Sequence, residues 1–426
     1  MKKLTAILIA LALVSCTKNT DIAAGLETYR EVYDTQTETE VPYSPPEEGV
    51  SVNGIFSDLH VIRDGKYYFE TRRRAAPDSD NYVTMLAYAD LENGTCGIVC
   101  PDPLCTHEED ECPYAQLREC YFSDDPGVYY AYTFGHPASR IWKVDMNRGT
   151  VETVYSMETT SGFIIGYDGG RLYFYERIEL TENRKTVKKI RLSYLDHASQ
   201  EVVQIGYVPD GYGDAFQFVI DGEIYFTMNS GRTLMKTDPE YRNVTLAAEL
   251  EASASKWYFD PETDEFFYVH RDYDNFKGSF HVAKDGVSKQ IHLPHEDVYS
   301  FILTEDKIYY TVFDPVYYGT SSLAAYFDVS GEETKTYDYT GGKMYAVSRE
   351  NPSGEAELVY EVSVSEQDRV AMLAESIVVG DYLYYTEAYV WRQVIDGVEY
   401  VTFSEHEEGK VRVGLEDGSV MRIAFE

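Results

Sequence analysis

The chain contains no internal run of about eighteen apolar residues, the length that a membrane-spanning helix needs. A polytopic membrane protein is therefore excluded. The sequence also lacks a Gly-x-Ser-x-Gly nucleophile turn, a phosphate-binding glycine loop and a dinucleotide-binding glycine pattern. No enzyme class that depends on one of these motifs is indicated, and the sequence assigns no catalytic residue.

Basic residues are scarce, because 37 Lys and Arg stand against 73 Asp and Glu, which gives a formal net charge of −36. A surface of this charge repels phosphate backbones, so a nucleic-acid partner is excluded. The same charge favours a soluble monomer. The acidity by itself predicts no partner.

The first sixteen residues, MKKLTAILIALALVSC, have the features of an export signal. Lys2 and Lys3 form a charged start, and residues 4–14 form a short apolar core. The last four residues, Leu-Val-Ser-Cys, resemble the bacterial lipobox, which implies cleavage before Cys16 and attachment of lipid (palmitate among the acyl groups) to that cysteine. The alternative is an ordinary secretory signal with an incidental cysteine.

We therefore predict a lipoprotein signal peptide over residues 1–15, and a lipidated Cys16 with a flexible tether over residues 16–50. The tether is polar and acidic and ends near Pro45-Pro46, so it cannot bury enough apolar surface to offset its ordering entropy. The expected location is the cell membrane, where the lipid anchors the protein on the outside of the cytoplasm.

A short aromatic motif recurs along the rest of the chain. An Asp- and Gly-rich turn leads each time into aromatic and β-branched residues, as in DGKYYFE (64–70) and DGEIYFT (221–227), and such runs are typical of strands. The closest spacings between the central aromatic residues are 42 to 44 residues, a period typical of four-stranded propeller blades. The central residues are Tyr68, Tyr129, Tyr173, Tyr225, Phe267, Tyr309 and Tyr384.

Between these motifs lie stretches that alternate apolar and polar residues on both sides of a turn, which predicts antiparallel hairpins. One aromatic strand and one hairpin nearly fill a four-stranded blade. We therefore predict an all-β fold, a β-propeller of seven four-stranded blades over residues 51–426. The hairpins span residues 86–99, 141–155, 190–205 and 234–248.

The number of blades depends on the long interval before Tyr384, so six or eight blades are alternatives. We interpret residues 341–362 in this interval as the outer hairpin of the sixth blade. A pair of β-sandwiches is the alternative architecture, and a steady repeat of 42 to 44 residues disfavours it.

The lipobox, the aromatic repeat and the segment CPDPLCTHEEDEC (100–112) together resemble a known group of proteins. These are exported lipoproteins of anaerobic Gram-positive (Firmicutes-type) bacteria that carry a β-propeller like that of the low-density-lipoprotein receptor. The resemblance covers most of the chain after residue 50 and implies the fold and the location. It implies no activity, since propellers host unrelated functions.

The cysteines other than Cys16 all lie in a Cys/His-rich insertion at residues 96–120. These five cannot all pair within one chain. Three thiolates and one imidazole, from Cys100, Cys105, His107 and Cys112, form a ligand set of structural zinc sites.

Cys96 and Cys120 would then form a disulfide across the insertion. The alternative is two disulfides with one reduced cysteine and a bystander His107, because exported proteins favour disulfides. A catalytic zinc normally keeps a position open to water, which four protein ligands would close. The set therefore favours a structural over a catalytic zinc.

The functional prediction is a non-catalytic, lipid-anchored binding or scaffold protein with a protein, peptide or glycan partner outside the cytoplasm. It follows from a tethered, repeat-built body without a recognisable catalytic motif. The alternatives are a polysaccharide-active enzyme of the cell envelope and an assembly factor for envelope proteins.

Overall fold

A computed structural model describes the chain in segments. They are residues 61–63, 65–74, 82–91, 96–100, 102, 105, 112–115, 117–133, 138–159, 161–182, 184–209, 216–272, 277–312, 316–321, 335–338, 343–361, 369–395, 398–416 and 418–423. The predicted signal peptide, Cys16 and the tether lie outside these residues.

Every regular element in the described segments is a β-strand, which confirms the all-β prediction. In this part of the chain no helix is long and apolar enough to cross a membrane. The described residues divide into two compact units, the first within Glu119–Glu249 and the second within Glu48–Arg118 and Leu250–Glu426.

The first unit contains three antiparallel meanders of four strands each. In each meander, strands consecutive in sequence are neighbours in the sheet. The strands are β5 (Arg118–Phe122), β6 (Val128–Thr133), β7 (Arg140–Asp145) and β8 (Thr150–Ser156); β9 (Gly162–Asp168), β10 (Arg171–Glu182), β11 (Lys185–Asp196) and β12 (Val202–Pro209); and β13 (Phe216–Ile220), β14 (Glu223–Met228), β15 (Thr233–Thr237) and β16 (Val244–Glu249).

The second unit contains four meanders of the same kind and one extra hairpin. The meanders are β1 (Val61–Arg63), β2 (Lys66–Arg74), β3 (Tyr82–Asp90) and β4 (Cys96–Ile98); β17 (Lys256–Asp260), β18 (Glu265–Asp272), β19 (Lys277–Lys284) and β20 (Gly286–Ile291); β21 (Val298–Leu303), β22 (Lys307–Val312), β25 (Lys343–Ser348) and β26 (Glu357–Glu361); and β27 (Arg369–Val379), β28 (Tyr382–Ile395), β29 (Val398–Gly414) and β30 (Val420–Ile423). The extra hairpin, β23 (Val316–Ser321) and β24 (Lys335–Asp338), joins the last sheet through β29.

The central aromatic residue of each sequence repeat lies in the second strand of a meander. All seven are buried, with exposed fractions from 0% to 7%. The four predicted hairpins form the outer strands β3–β4, β7–β8, β11–β12 and β15–β16. The repeat therefore marks the second strand of each meander, and its central aromatic residue is one of the buried side chains of that strand.

The interval before Tyr384 has a simple structural explanation. Residues 341–362 contain β25 and β26, which are the outer strands beside β22, as the sequence interpretation stated. The remaining length contains the inserted hairpin β23–β24. No described strand in the interval starts an additional four-stranded meander.

Consecutive meanders within a unit share a hydrophobic core. In the first unit, Tyr130 and Ile141 pack with Leu172 and Phe174 of the next meander. In the second unit, the first and the last meanders of the chain also pack together. The Tyr67 and Tyr384 rings meet there at a centroid distance of 4.8 Å.

A buried ion pair within the meander β9–β12 accepts further hydrogen bonds from the end of the preceding meander. Glu176 in β10 is fully buried, and Arg191 in β11 donates to its Oε2 from Nη2 at 2.7 Å. Tyr155 in β8 donates its hydroxyl to the same carboxylate oxygen at 2.9 Å. The Glu158 amide donates to Glu176 Oε1 at 2.8 Å, while Arg191 Nη1 binds the exposed Glu158 carboxylate. All the charges in this network are paired.

A second ion pair links two meanders of the other unit. Arg349, which follows β25, donates from Nη2 to Oδ2 of the buried Asp260 at 2.6 Å. The other Arg349 nitrogen, Nη1, donates to the carbonyl of Thr304 at 3.1 Å. The Glu262 amide donates to Asp260 Oδ1 at 3.0 Å.

The Asp260 pair should make stability depend on pH in the acid range. Burial acts to raise the pKa of Asp260, but the hydrogen bonds from Arg349 and the Glu262 amide outweigh it and hold the pKa below its usual value. The stabilisation is therefore present above the unfolded pKa of about 4 and is lost as the pH falls through the folded value. We expect the urea midpoint of Asp260→Asn to be lower than that of the parent protein at pH 7, and the difference to shrink below about pH 4. A difference independent of pH would contradict this linkage.

Candidate metal centre

Three of the four predicted metal ligands lie together. The Sγ atoms of Cys100, Cys105 and Cys112 are all within 4.8 Å of one another. Tetrahedral zinc with Zn–S bonds of about 2.3 Å would hold its sulfur ligands about 3.8 Å apart, so the cluster needs only a small contraction to bind the ion. His107, the fourth predicted ligand, lies outside the described residues.

The backbone around the cluster is shaped by short turns. After β4, the Val99 amide donates to the Leu86 carbonyl in β3 at 2.8 Å, which fixes the chain just before Cys100. The Cys105 amide donates to the Asp102 carbonyl at 3.2 Å, and the Ala115 amide donates to the Cys112 carbonyl at 3.0 Å. These turns bring the three cysteine sulfurs to one place.

The three thiols differ in burial. Cys112 is buried, with 3% of its surface exposed, and its neighbours Tyr114 and Leu117 are buried as well. Cys100 and Cys105 are half-buried. Cys112 therefore lies in the more buried part of the cluster.

Burial also sets the protonation of the thiols. It raises the pKa of Cys112 to about 12, against an opposing hydrogen bond from the Tyr114 backbone. Burial likewise raises the pKa of Cys100, against the Asp102 backbone. Without a metal, Cys100 and Cys112 are thus thiols, and a bound cation would have to displace their protons.

The donor set fits a thiophilic metal. Three cysteine sulfurs suit zinc and other soft ions and are poor ligands for calcium or magnesium. The Tyr114 backbone hydrogen bond that opposes the burial effect would stabilise the Cys112 thiolate once an ion is bound.

The remaining two cysteines of the insertion lie apart from this ligand set. Cys96 is half-buried in β4, opposite Ala89 of β3, and burial raises its pKa while Arg412 opposes the rise. Cys120 is buried in β5. The Cys96–Cys120 disulfide stays a prediction.

The sequence interpretation missed a second polar cluster. Ser279 and His281 in β19 lie next to each other, and Glu251 lies beside the histidine. The alternation of side chains along a strand places residues 279 and 281 on one face, so two of the three members of this cluster were accessible to sequence reasoning. The position of Glu251 depends on the tertiary fold.

Comparisons with known proteins identify similarities of structure. No protein-family model matches the chain, and no curated protein matches it. The chain is similar to the β-propeller domain of the Trilobed protease from Pyrococcus furiosus, at 10% identity over 87% of this chain and 97% of that one, with a TM-score of 0.48. It is also similar to oligogalacturonate lyase from Vibrio parahaemolyticus, at 11% identity over 78% of this chain and 96% of that one, with a TM-score of 0.44.

A third similar structure is the acylaminoacyl peptidase of Pyrococcus horikoshii, at 12% identity over 84% of this chain, with a TM-score of 0.45. The matched region spans 53% of that peptidase. At these identities the similarities assign neither an activity nor a ligand to the present chain.

Proposed function

We propose that the chain is a lipid-anchored β-propeller that recognises a partner outside the cytoplasm. In this proposal each of the seven meanders is one blade. Support comes from the four-stranded order of the meanders and from the cores that consecutive meanders share within each unit. The contact of the first meander with the last, at Tyr67 and Tyr384, is what ring closure requires.

The membrane attachment rests on the sequence. A lipid on Cys16 would hold the protein at the outer side of the cell membrane, and residues 17–50 would separate the anchor from the propeller. Such a tether leaves the folded body free to meet a protein, peptide or glycan near the membrane.

The proposal also includes one structural zinc ion. Cys100, Cys105 and Cys112 would bind it together with His107, and Cys96 and Cys120 would form the accompanying disulfide. The ion would fix a connection between two meanders that contains no described strand from residue 99 to residue 117. Its role would be to order this loop and keep its surface in one shape.

The proposed binding role rests on the burial of the repeated aromatic residues. All seven central aromatics are buried in strands, so the repeat builds a rigid body. The turns between the strands are left to vary without cost to the core, and surfaces of this kind commonly carry recognition. The proposal does not depend on any catalytic group.

Site-specific photo-crosslinking in intact cells tests this role. A photoreactive residue is placed at the exposed turn positions Ser230 or Glu305, and matched controls carry it at Leu358 and Val287 on outer strands. We expect a crosslinked species of defined mass from a turn position and none from the outer strands. Equal crosslinking from all positions, or none from any, would contradict a binding role.

A turnover assay on a panel of glycans separates this proposal from an enzyme of the envelope. Unchanged glycans together with turn-specific crosslinks support recognition alone. Cleavage of a glycan by the purified protein would contradict the proposed role and favour a polysaccharide-active enzyme.

A further inference from the structure

A serine and a histidine form a close hydrogen-bonded pair on strand β19. The Ser279 hydroxyl lies 2.7 Å from His281 Nε2. The two residues are separated by one position on the strand, so their side chains project from the same face of the sheet. Ser279 is half-buried as a residue.

The other ring nitrogen of His281 faces a carboxylate. His281 is 3% exposed, and its Nδ1 has no hydrogen-bond partner among the described residues. Glu251 Oε2 is 3.5 Å from this nitrogen, slightly beyond hydrogen-bond length. When Nε2 of the neutral ring accepts a hydrogen bond from the Ser279 hydroxyl, Nδ1 carries the ring hydrogen. This Nδ1–H faces the Glu251 carboxylate.

Neighbouring groups hold the histidine ring and the backbone of Glu251 in place. The Tyr268 ring stacks on the His281 ring at a centroid distance of 4.8 Å and an interplanar angle of 10°. Ser288 accepts a hydrogen bond from the Tyr268 hydroxyl at 3.0 Å and one from the Glu251 amide at 2.7 Å. One hydroxyl therefore ties the ring stack to the backbone of the carboxylate residue.

The histidine is in the right state to act as a base. Burial lowers the pKa of His281 below its usual value, and the Glu251 carboxylate opposes this effect. The ring is therefore neutral near pH 7 and can accept a proton. A residue that served packing alone would satisfy both ring nitrogens, because an unpaired buried donor costs about 1–3 kcal/mol.

We propose that Ser279 is an activated nucleophile, with His281 as its general base and Glu251 as the residue that positions the imidazole. A hydroxyl, a base and an orienting carboxylate in this order are the parts that acyl transfer to serine requires. Contacts of this kind are often long before a substrate binds, which accounts for the 3.5 Å separation. The inference goes beyond the proposed binding role and is independent of it.

The reaction is hydrolysis of an ester in two balanced steps. The Ser279 oxygen attacks the acyl carbon while its proton moves to His281 Nε2; the ester C–O bond breaks, and the leaving alkoxide takes that proton. Water then attacks the acyl carbon and gives a proton to His281; the bond between Ser279 Oγ and the acyl carbon breaks, the carboxylic acid leaves, and the proton on His281 returns to Ser279 to restore its hydroxyl.

The substrate class follows from size and charge. The half-buried Ser279 on a packed strand favours a short acyl group, and a chain of net charge −36 disfavours an anionic ester. The expected substrate is a neutral ester with a short acyl chain, such as an acetyl ester.

Covalent labelling tests the proposal directly. The full protein is treated with a fluorophosphonate probe, and the modified residue is located by mass spectrometry of peptides. We expect labelling at Ser279, its disappearance in Ser279→Ala, and a rate about 100-fold lower in His281→Gln. Ser253→Ala is the matched control, because Ser253 bonds His270 instead of His281.

A second readout uses hydrolysis of p-nitrophenyl acetate by the same variants. Urea midpoints equal to that of the parent protein establish that Ser279→Ala and Glu251→Gln are folded. Labelling that is absent in the parent protein, or that is unchanged in His281→Gln and Glu251→Gln, overturns the proposal. Label on Ser253 in place of Ser279 overturns it too.

Discussion

Replacing Cys112 with serine is expected to abolish metal binding. The purified protein should carry about one zinc ion per chain, and the Cys112→Ser variant should carry close to none. Cys112 is the most deeply buried of the three clustered cysteines, so its sulfur is held in place before the ion arrives. A serine hydroxyl at this position is a far weaker ligand than a thiolate, because zinc prefers sulfur and nitrogen.

The loss of affinity should be large. Removing an outer-shell partner of a metal ligand already costs about 10–100-fold in affinity, and loss of a direct ligand costs more. We therefore expect the zinc dissociation constant to rise by more than about 100-fold in competition with a chromophoric chelator. Proteolysis within residues 101–111 should accelerate in the variant and, equally, in the parent protein after chelation.

Cys96→Ser is the matched control, since Cys96 lies in β4 outside the sulfur cluster. It should keep its zinc. Metal content and free thiols are measured together, by elemental analysis and by thiol titration under denaturing conditions. A parent protein with no metal and a single free thiol would mean two disulfides in the insertion, and the ligand assignment would be wrong.

Glu176→Gln is expected to give a large loss of stability. Glu176 is fully buried, and its carboxylate accepts hydrogen bonds from Arg191 and Tyr155 and from a backbone amide. Removing one partner of a buried ion pair costs about 3–5 kcal/mol, because the other charge is left uncompensated. We expect about 3 kcal/mol, the low end, since Arg191 keeps Glu158 as a neighbour.

The matched control is Glu158→Gln, which removes the other carboxylate that Arg191 binds. The Glu158 side chain is 66% exposed, so its loss should cost about 0–1 kcal/mol. Urea unfolding of both variants, followed by tryptophan fluorescence, gives the comparison. Equal effects of the two substitutions would mean that burial does not distinguish the two carboxylates.

Much of the fold could be predicted because short, contiguous sequence motifs define its repeat. An Asp- and Gly-rich turn followed by aromatic residues specifies the second strand of a meander wherever it occurs, as at Tyr225 in β14. The inserted hairpin β23–β24 could not be foreseen. It departs from the repeat, and its parallel pairing of Thr320 with Tyr400 joins segments that are distant in sequence.

The candidate sites also differ in whether local sequence or the tertiary fold brings their residues together. Cys100, Cys105 and Cys112 lie within thirteen residues, so their spacing alone predicted a cluster. Glu176 and Arg191 are directly opposite across β10 and β11, and only the register of that hairpin makes them partners. Glu251 lies outside the hairpin that carries Ser279 and His281, so no local sequence pattern predicts its contact with His281.

The packing of the first meander on the last also has a consequence for the order of folding. Tyr67 leaves the ribosome about 300 residues before Tyr384, the residue whose ring it contacts. The apolar face of the first meander therefore stays exposed until synthesis of the chain is nearly complete. Contacts of such long range form slowly, and chains that expose apolar strands meanwhile are prone to aggregate. A chain cut short before β28 would keep its local hairpins and still lack the partner of its first sheet.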